Sequence, residues 1–262
     1  MNKVIYIIAL AFIFVSCNCQ APQKAEKQKS SDYLLLSTVW YQVSAERVAL
    51  YHQAYNIAKM RIDQIGQTDY ERQPAVVLDI DETVLDNSPY QAWCVQTGNK
   101  FSPETWNKWV QQADATPLTG ALEFTKYAKE NGVEVIYLSN RHVSQLEATL
   151  QNLSDLNFPN ASAEYVFLKD STSNKKYRRE KVNEKYEIAL LVGDNLGDFD
   201  HLYDYRANRN AHKVVEEQKD LFGDKFIMLP NPMYGKWERP IQKQDGNYTE
   251  NLKKAMHYNF SN

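Results

Sequence analysis

The sequence predicts an α/β fold in which a Rossmann-like parallel sheet is covered by helices on both faces, with a smaller, mostly helical cap. Two observations predict it. Short, almost wholly apolar stretches alternate with helical patterns, and carboxylate or hydroxyl side chains follow these stretches directly. Near-continuous apolar strands are typical of parallel sheets that are buried on both faces. The 262-residue chain is long enough for one such domain with a modest insertion.

The N-terminal part of the chain has its own composition. A short basic start precedes an apolar run at 4–15, which is too short to span a membrane comfortably. The run ends before Cys17 in a pattern that resembles a bacterial lipobox, which implies a signal peptide at 1–16 and a lipid on the Cys17 thiol. The alternative is a plain secretory signal with an incidental cysteine. Residues 17–31 are rich in Gln, Lys and Ser and predict a lipidated flexible tether. We therefore expect a lipid-anchored protein of the bacterial cell envelope, at the outer membrane.

One domain is predicted over 32–262, where helical and strand patterns alternate. Apolar residues at helical spacing over 33–67 predict one long helix or two, and a buried strand follows at 75–79. The further predicted elements are helices at 118–129, 144–156 and 174–186, and strands at 133–138, 165–168, 188–192 and 226–229. The cap is assigned to 32–70, to the irregular stretch 87–118 and to the C-terminal segment.

Acidic side chains follow two of the predicted strands. Asp79 and Asp81 come at the end of the first strand, and Asp194 and Asp198 follow the fourth. Residues two apart in a strand share a face, and the carboxyl ends of parallel strands meet at one edge of the sheet. Each pair taken alone could merely cap a helix or shape a turn. Together they predict an oxygen-rich site that suits Mg²⁺.

Phosphate-binding side chains follow the other two strands. Ser139, Asn140 and Arg141 offer a hydroxyl, an amide and a guanidinium in succession, and Lys175 lies near the start of the next helix. These groups suit the oxygens of a phosphate. Ser139 and Asn140 could instead only shape a loop, and a lysine is usually just solvated. The conjunction with the acids indicates a joint metal and phosphate site.

The motifs resemble, in order, those of the haloacid dehalogenase superfamily. The matching segments are Asp79–Thr83, Ser139, Lys175 and Gly193–Asp198. More narrowly, the strings DIDETVLDNSPY, VGDNLGDF and LPNPMYGKWE resemble class C acid phosphatases, the bacterial lipoprotein e family of 5′-nucleotidases. Lys169 and Lys176 lie near the third motif as well, and Lys175 is chosen for its Ser-x-Lys context.

The resemblance implies a magnesium-dependent acid phosphatase that hydrolyses phosphomonoesters, above all nucleoside 5′-monophosphates, through an aspartyl-phosphate intermediate. Asp79 would be the nucleophile, and Asp81 would protonate the leaving alcohol and then deprotonate water. Mg²⁺ would be held by Asp79, the backbone carbonyl of Asp81 and Asp194. Ser139 and Lys175 would hold the phosphoryl oxygens.

The remaining site residues are predicted in supporting roles. Asp198 would support the metal site through water or Lys175, and Thr83 would orient the first loop. Asn140 and Arg141 are expected to contact the substrate, and a structural role is open for both. Two aromatic residues, Trp106 and Tyr234, are candidates for stacking on a nucleobase; filling the core of the cap is the alternative.

Other functions fit parts of this pattern less well. A receiver domain would carry its phosphorylated Asp two strands after an acidic pair, whereas the candidate nucleophile here comes first. A mutase of the same superfamily is disfavoured by export, and a kinase by the lack of a Gly-rich phosphate loop. A non-catalytic surface lipoprotein that binds a ligand on the same fold is the main alternative. A net charge of −3 with interspersed signs does not indicate a nucleic-acid polymer as partner. Cys19 and Cys94 do not indicate a disulfide framework, and a homo-oligomer is compatible with the sequence.

Overall fold

A five-stranded parallel sheet forms the centre of the protein in the computed structural model, which describes residues 32–203, 211–242, 244–245 and 247–257. The strands, in chain order, are β1 (Pro74–Leu78), β2 (Leu85–Asp86), β3 (Thr116–Pro117), β4 (Glu134–His142), β5 (Val166–Lys169), β6 (Glu187–Gly193) and β7 (Phe226–Met228). The sheet has the order β5-β4-β1-β6-β7, and β2 pairs antiparallel with β3 outside it. The predicted signal peptide and tether, with Cys17 and Cys19, lie outside the described residues.

Helices cover the sheet on both sides. The α-helices of the described part of the chain are α1 (Leu35–Val43), α2 (Ala45–Ile65), α3 (Ser88–Thr97), α4 (Pro103–Val110), α5 (Ala121–Glu130), α6 (Leu146–Asp155), α7 (Lys176–Lys185), α8 (Ala211–Glu217), α9 (Arg239–Gln242) and α10 (Tyr248–Ala255). Alternate residues of β1 face opposite cores. Val76 and Leu78 belong to one apolar cluster with Tyr55 of α2, whereas Val77 belongs to another with Val182 of α7. The predicted fold class is therefore confirmed.

Helix α2 packs on the central sheet. Its buried residues, among them Tyr55, Ala58 and Ile62, lie in the same core as Val76 and Leu190 of the sheet. The segment 45–65, which lies within the predicted cap segment 32–70, thus contributes to this core. The helical pattern alone does not give the partner of its apolar face, because an amphipathic helix buries that face equally well against a sheet or a cap.

Strand β4 is longer than predicted. It extends to His142, because its last residue still pairs with Lys169 of β5, beyond the predicted end of the strand at 138. Ser139, Asn140 and Arg141 are therefore extended backbone and not a loop. Ser139 and Arg141 share one face of the strand, and Asn140 points to the other.

No helix in the described part of the chain is long and apolar enough to cross a membrane.

Candidate active site

Three carboxylates meet at the carboxyl edge of the sheet. Oxygens of Asp79, Asp194 and Asp198 all lie within 4.8 Å of one another. Asp79 follows β1 and Asp194 follows β6, and the two strands are neighbours in the sheet. The backbone N–H of Asp79 donates to the carbonyl of Val192 at 3.0 Å, so the ladder holds the two strand ends together. The convergence of these acids is a direct consequence of parallel pairing.

Lys175 bridges two of these carboxylates. Its Nζ lies 2.6 Å from Oδ1 of Asp79 and 2.7 Å from Oδ1 of Asp198, and its side chain is 3 % exposed. Burial alone would lower the pKa of Lys175, but Asp198 and Asp79 outweigh burial and raise it above its ordinary value. Of the neighbouring lysines, Lys176 pairs with Glu180 on the surface. The ammonium that contacts Asp79 and Asp198 is therefore that of Lys175.

One ammonium does not balance three buried carboxylates. Burial is the main cause that raises the pKa of Asp79 to about 7, with Lys175 opposing and the charges of Asp198 and Asp81 adding to it. Burial, followed by the charges of Asp198 and Asp79, raises the pKa of Asp194 well above its ordinary value. A bound cation would stabilise the ionised form of these carboxylates, and carboxylate oxygens are the ligands that hard divalent cations prefer. The residues present therefore fit a divalent metal.

The loop after Asp79 is braced from α2, which sequence reasoning missed. Tyr51 donates its hydroxyl proton to the Glu82 carbonyl at 2.6 Å, and Tyr55 donates to the Thr83 carbonyl at 2.7 Å. Glu82 has a φ of +56°, a conformation that costs energy in a non-glycine residue and needs such support. The Thr83 hydroxyl donates to Oδ1 of Asp194 at 3.4 Å, so this loop contacts the acid cluster.

The Asp81 carboxylate lies among donors from β4 and from the segment after β2. Ser139 Oγ donates to its Oδ2 at 3.2 Å, and Arg141 Nε donates to its Oδ1 at 2.9 Å. Asn87, which sequence reasoning missed, also donates to Oδ1. Asn140 points away from Asp81 and accepts from Arg178 Nη2 at 2.7 Å. Strand alternation explains why, of the three β4 side chains, Ser139 and Arg141 contact Asp81 and Asn140 does not.

A cavity of about 490 Å³ joins the acids to the predicted aromatic residues. Its lining includes Asp79, Asp81 and Asp194 together with Trp106 and Tyr234. The structure thus brings both predicted stacking residues to the same cavity as the acids. The Trp106 ring also packs edge-on against Tyr90, with the centroids 5.2 Å apart, so it is half-buried and held in place.

Asn231 is a further site residue that sequence reasoning missed. Its Nδ2 donates to Oδ2 of Asp194 at 2.8 Å. It lies in the LPNPMYGKWE string that resembles the family, so the string was a signal for the residue without indicating its contact. The segment after β7 places Asn231 beside the Asp194 carboxylate, which the sequence alone does not predict.

Comparisons with known proteins agree on one family. The family model described as HAD superfamily, subfamily IIIB (acid phosphatase), matches residues 15–237. The structure of the class C acid phosphatase from Bacillus anthracis is similar to this chain with a TM-score of 0.83 at 39 % identity, covering 88 % of this chain and 100 % of that one. The tungstate-bound structure of the enzyme from the same organism gives a TM-score of 0.83 at 38 % identity, with the same coverage.

More distant plant proteins are similar over shorter regions. The stem 31 kDa glycoprotein of Glycine max is 28 % identical over 166 residues, which is 60 % of this chain and 58 % of that protein. Acid phosphatase 1 of Solanum lycopersicum is 25 % identical over 210 residues, covering 72 % of this chain and 74 % of that protein.

Proposed function

This chain belongs to subfamily IIIB of the haloacid dehalogenase superfamily, the acid phosphatases, and we propose that it hydrolyses phosphomonoesters through an aspartyl-phosphate formed on Asp79. The position of Asp79 carries the proposal. Asp79 directly follows β1 and contacts Lys175, and it belongs to the acid cluster and lines the cavity. A carboxylate in such a place can attack phosphorus and leave again.

The reaction would proceed in two balanced steps. In the first, an oxygen of Asp79 forms a bond to phosphorus, the ester P–O bond breaks, and Asp81 gives a proton to the departing alkoxide. In the second, water attacks phosphorus, Asp81 takes its proton, and the bond to Asp79 breaks to release phosphate. Lys175 and Ser139 would hold the phosphoryl oxygens, and Lys175 would also shield the charge of Asp79.

Mg²⁺ is the cation that we propose for the acid cluster. Asp79, Asp194 and the backbone carbonyl of Asp81 would hold it, with Asp198 close enough to take part directly or through Lys175. When bound, Mg²⁺ would neutralise the repulsion among the acids and the negative charge that develops on the phosphoryl group. Thr83 and Asn231 would keep the Asp194 carboxylate oriented through their hydrogen bonds.

Nucleoside 5′-monophosphates are the substrates that we propose. Support comes from Trp106 and Tyr234, which line the same cavity as the acids, since a flat nucleobase gains by stacking on an aromatic ring. Stacking of a base on an aromatic ring contributes about 1–3 kcal/mol in other proteins. We therefore expect a substrate with a base to be bound more tightly than the same sugar phosphate without one.

The test uses soluble protein beginning near Ser31. Phosphate release from a nucleoside 5′-monophosphate and from ribose 5-phosphate is measured with Mg²⁺ and again with chelator. We expect metal-dependent turnover of both, with kcat/KM higher for the nucleotide by about tenfold or more, which is the effect of about 1.4 kcal/mol of stacking. A folded, metal-loaded protein that releases no phosphate would point instead to a non-catalytic ligand-binding lipoprotein.

Anchoring at the outer membrane through Cys17 is also proposed, on the basis of the lipobox-like sequence. The expected result is that the full-length wild type sediments with membranes and that Cys17→Ser moves into the soluble fraction, because the proposed attachment is the lipid on the Cys17 thiol. Cys19→Ser is the matched control and should stay with the membranes. Equal membrane association of the two variants would contradict the anchor.

A further inference from the structure

The two oxygens of the Asp81 carboxylate are held very differently. Oδ1 accepts from Asn87 Nδ2 and from Arg141 Nε, each at 2.9 Å, and Nη2 of Arg141 forms an ion pair with it at 2.9 Å. Among the residues that the structure describes, Oδ2 accepts only from the Ser139 hydroxyl, at 3.2 Å. Two hydrogen bonds occupy both lone pairs of Oδ1, so that this oxygen is not free to take or give a proton.

Arg141 is itself fixed on several sides. Its side chain is 1 % exposed, and its Nη1 donates to Thr149 Oγ1 at 3.2 Å. Its Nη2 also lies 3.5 Å from Asn87 Oδ1, and Asn87 in turn accepts from Trp109 Nε1 at 2.8 Å. The backbone N–H of Arg141 donates to Ser139 Oγ at 3.0 Å. Each of the three guanidinium nitrogens therefore donates one hydrogen bond inside the protein.

These contacts argue against the predicted role of Arg141 in binding the substrate directly. To bind a phosphate bidentately, the guanidinium would have to break its contacts with Asp81. The Asp81 carboxylate would then lose hydrogen-bond donors in a largely buried place. Arg141 lines the cavity, but its polar edge faces Asp81, Asn87 and Thr149. The hydrogen bonds assign it to the acid and not to the phosphate.

We propose that Arg141 is a positioning residue, which together with Asn87 saturates Oδ1 of Asp81 and reserves Oδ2 as the atom that exchanges the proton. The single donor at Oδ2, the Ser139 hydroxyl, can turn towards a phosphoryl oxygen when substrate is bound and so frees Oδ2. This inference rests on the phosphatase activity proposed above. It adds which oxygen of Asp81 acts, and which side chains orient it.

The proposal has a consequence that depends on the leaving group. An alkoxide such as the ribose 5′-oxygen is a strong base and needs a proton as it departs, whereas 4-nitrophenolate is a weak base and departs without one. General acid catalysis typically contributes about 10²–10⁴-fold. Misplacing Oδ2 should therefore slow the transfer of the phosphoryl group to Asp79 much more from an alkyl ester than from 4-nitrophenyl phosphate. The later attack of water is the same for both esters, so the comparison is made on kcat/KM, which reports the first transfer.

The experiment compares Arg141→Met with the wild type on a nucleoside 5′-monophosphate and on 4-nitrophenyl phosphate, with Mg²⁺ present. We expect kcat/KM on the nucleotide to fall by about 100-fold or more and kcat/KM on the aryl ester by less than about tenfold. The inhibition constant of inorganic phosphate should change by less than about threefold, since Arg141 does not grip the phosphate. Arg141→Lys, which retains one donor towards Oδ1, should fall between the two.

Matched variants separate the possible outcomes. Arg72→Met removes a guanidinium that donates to the Tyr186 carbonyl and lies outside the cavity lining, and it should leave the ratio of the two kcat/KM values unchanged. Equal losses on both substrates, or weaker inhibition by phosphate, would contradict the positioning role of Arg141 but not the proposed phosphatase activity. If Arg141→Met does not fold, Arg141→Lys decides by the same ratio. A wild type that hydrolyses neither ester overturns both proposals.

Discussion

Asp79→Asn is expected to lower kcat by at least about 10⁴-fold while the protein remains folded. The amide keeps the shape of the side chain but cannot attack phosphorus, and losing the nucleophile of a covalent mechanism costs several orders of magnitude. Stability at pH 8 should be unchanged or higher, because the variant removes a buried carboxylate whose pKa is raised to about 7 mainly by burial. The measurement is single-substrate kinetics with Mg²⁺, beside thermal unfolding of the metal-free protein.

Asp220→Asn is the control for this variant. Asp220 is exposed and lies outside the cavity lining, so its replacement should change neither kcat nor the unfolding temperature beyond experimental error. Residual activity of Asp79→Asn above about 1 % of wild type would show that another group attacks phosphorus. Water activated directly by Asp81 would then be the next mechanism to examine.

Lys175→Met is expected to lower the free energy of unfolding of the metal-free protein by about 3–5 kcal/mol at pH 8. The variant leaves the buried carboxylates of Asp79 and Asp198 without their common ammonium, and breaking a buried ion pair from one side typically costs this much. The loss should be smaller at pH 6, where protonation of Asp79 removes one of the two unpaired charges. Denaturant unfolding in the presence of chelator provides the measurement.

Two further variants test this explanation of the loss. Lys176→Met removes the neighbouring lysine, whose pair with Glu180 at 3.8 Å lies on the surface, and should cost less than about 1 kcal/mol. Adding Asp198→Asn to Lys175→Met should recover part of the lost stability, because it removes one of the unpaired charges. A double variant that is no more stable than Lys175→Met would mean that shape and not charge determines the effect.

The acid cluster was predictable because it depends on regular backbone geometry. Asp79 and Asp194 follow apolar strands, and parallel strands bring their carboxyl ends to one edge whatever the rest of the chain does. Lys175 was harder to predict, since two other lysines lie nearby in the sequence. The structure distinguishes Lys175 by its contacts. Its buried ammonium lies between the carboxylates of Asp79 and Asp198, which stabilise its charge.

Contacts between distant segments were not predictable in this way. The hydroxyls of Tyr51 and Tyr55 reach the carbonyls of Glu82 and Thr83 because α2 packs on the sheet. A helical pattern gives the direction of an apolar face but not its partner. The sequence therefore predicted a helix in this segment but not its contacts with the loop after Asp79.

The sequence by itself determined the fold class, the strands that carry acids and the family resemblance, because strand periodicity and motif order are local properties of the chain. Only the tertiary structure decided how each polar side chain is used. The continuation of β4 through Arg141 turns Ser139 and Arg141 towards Asp81 and Asn140 away from it. Hydrogen-bond partners are chosen by which strand and helix ends meet in space, and that choice depends on the packing of the whole chain.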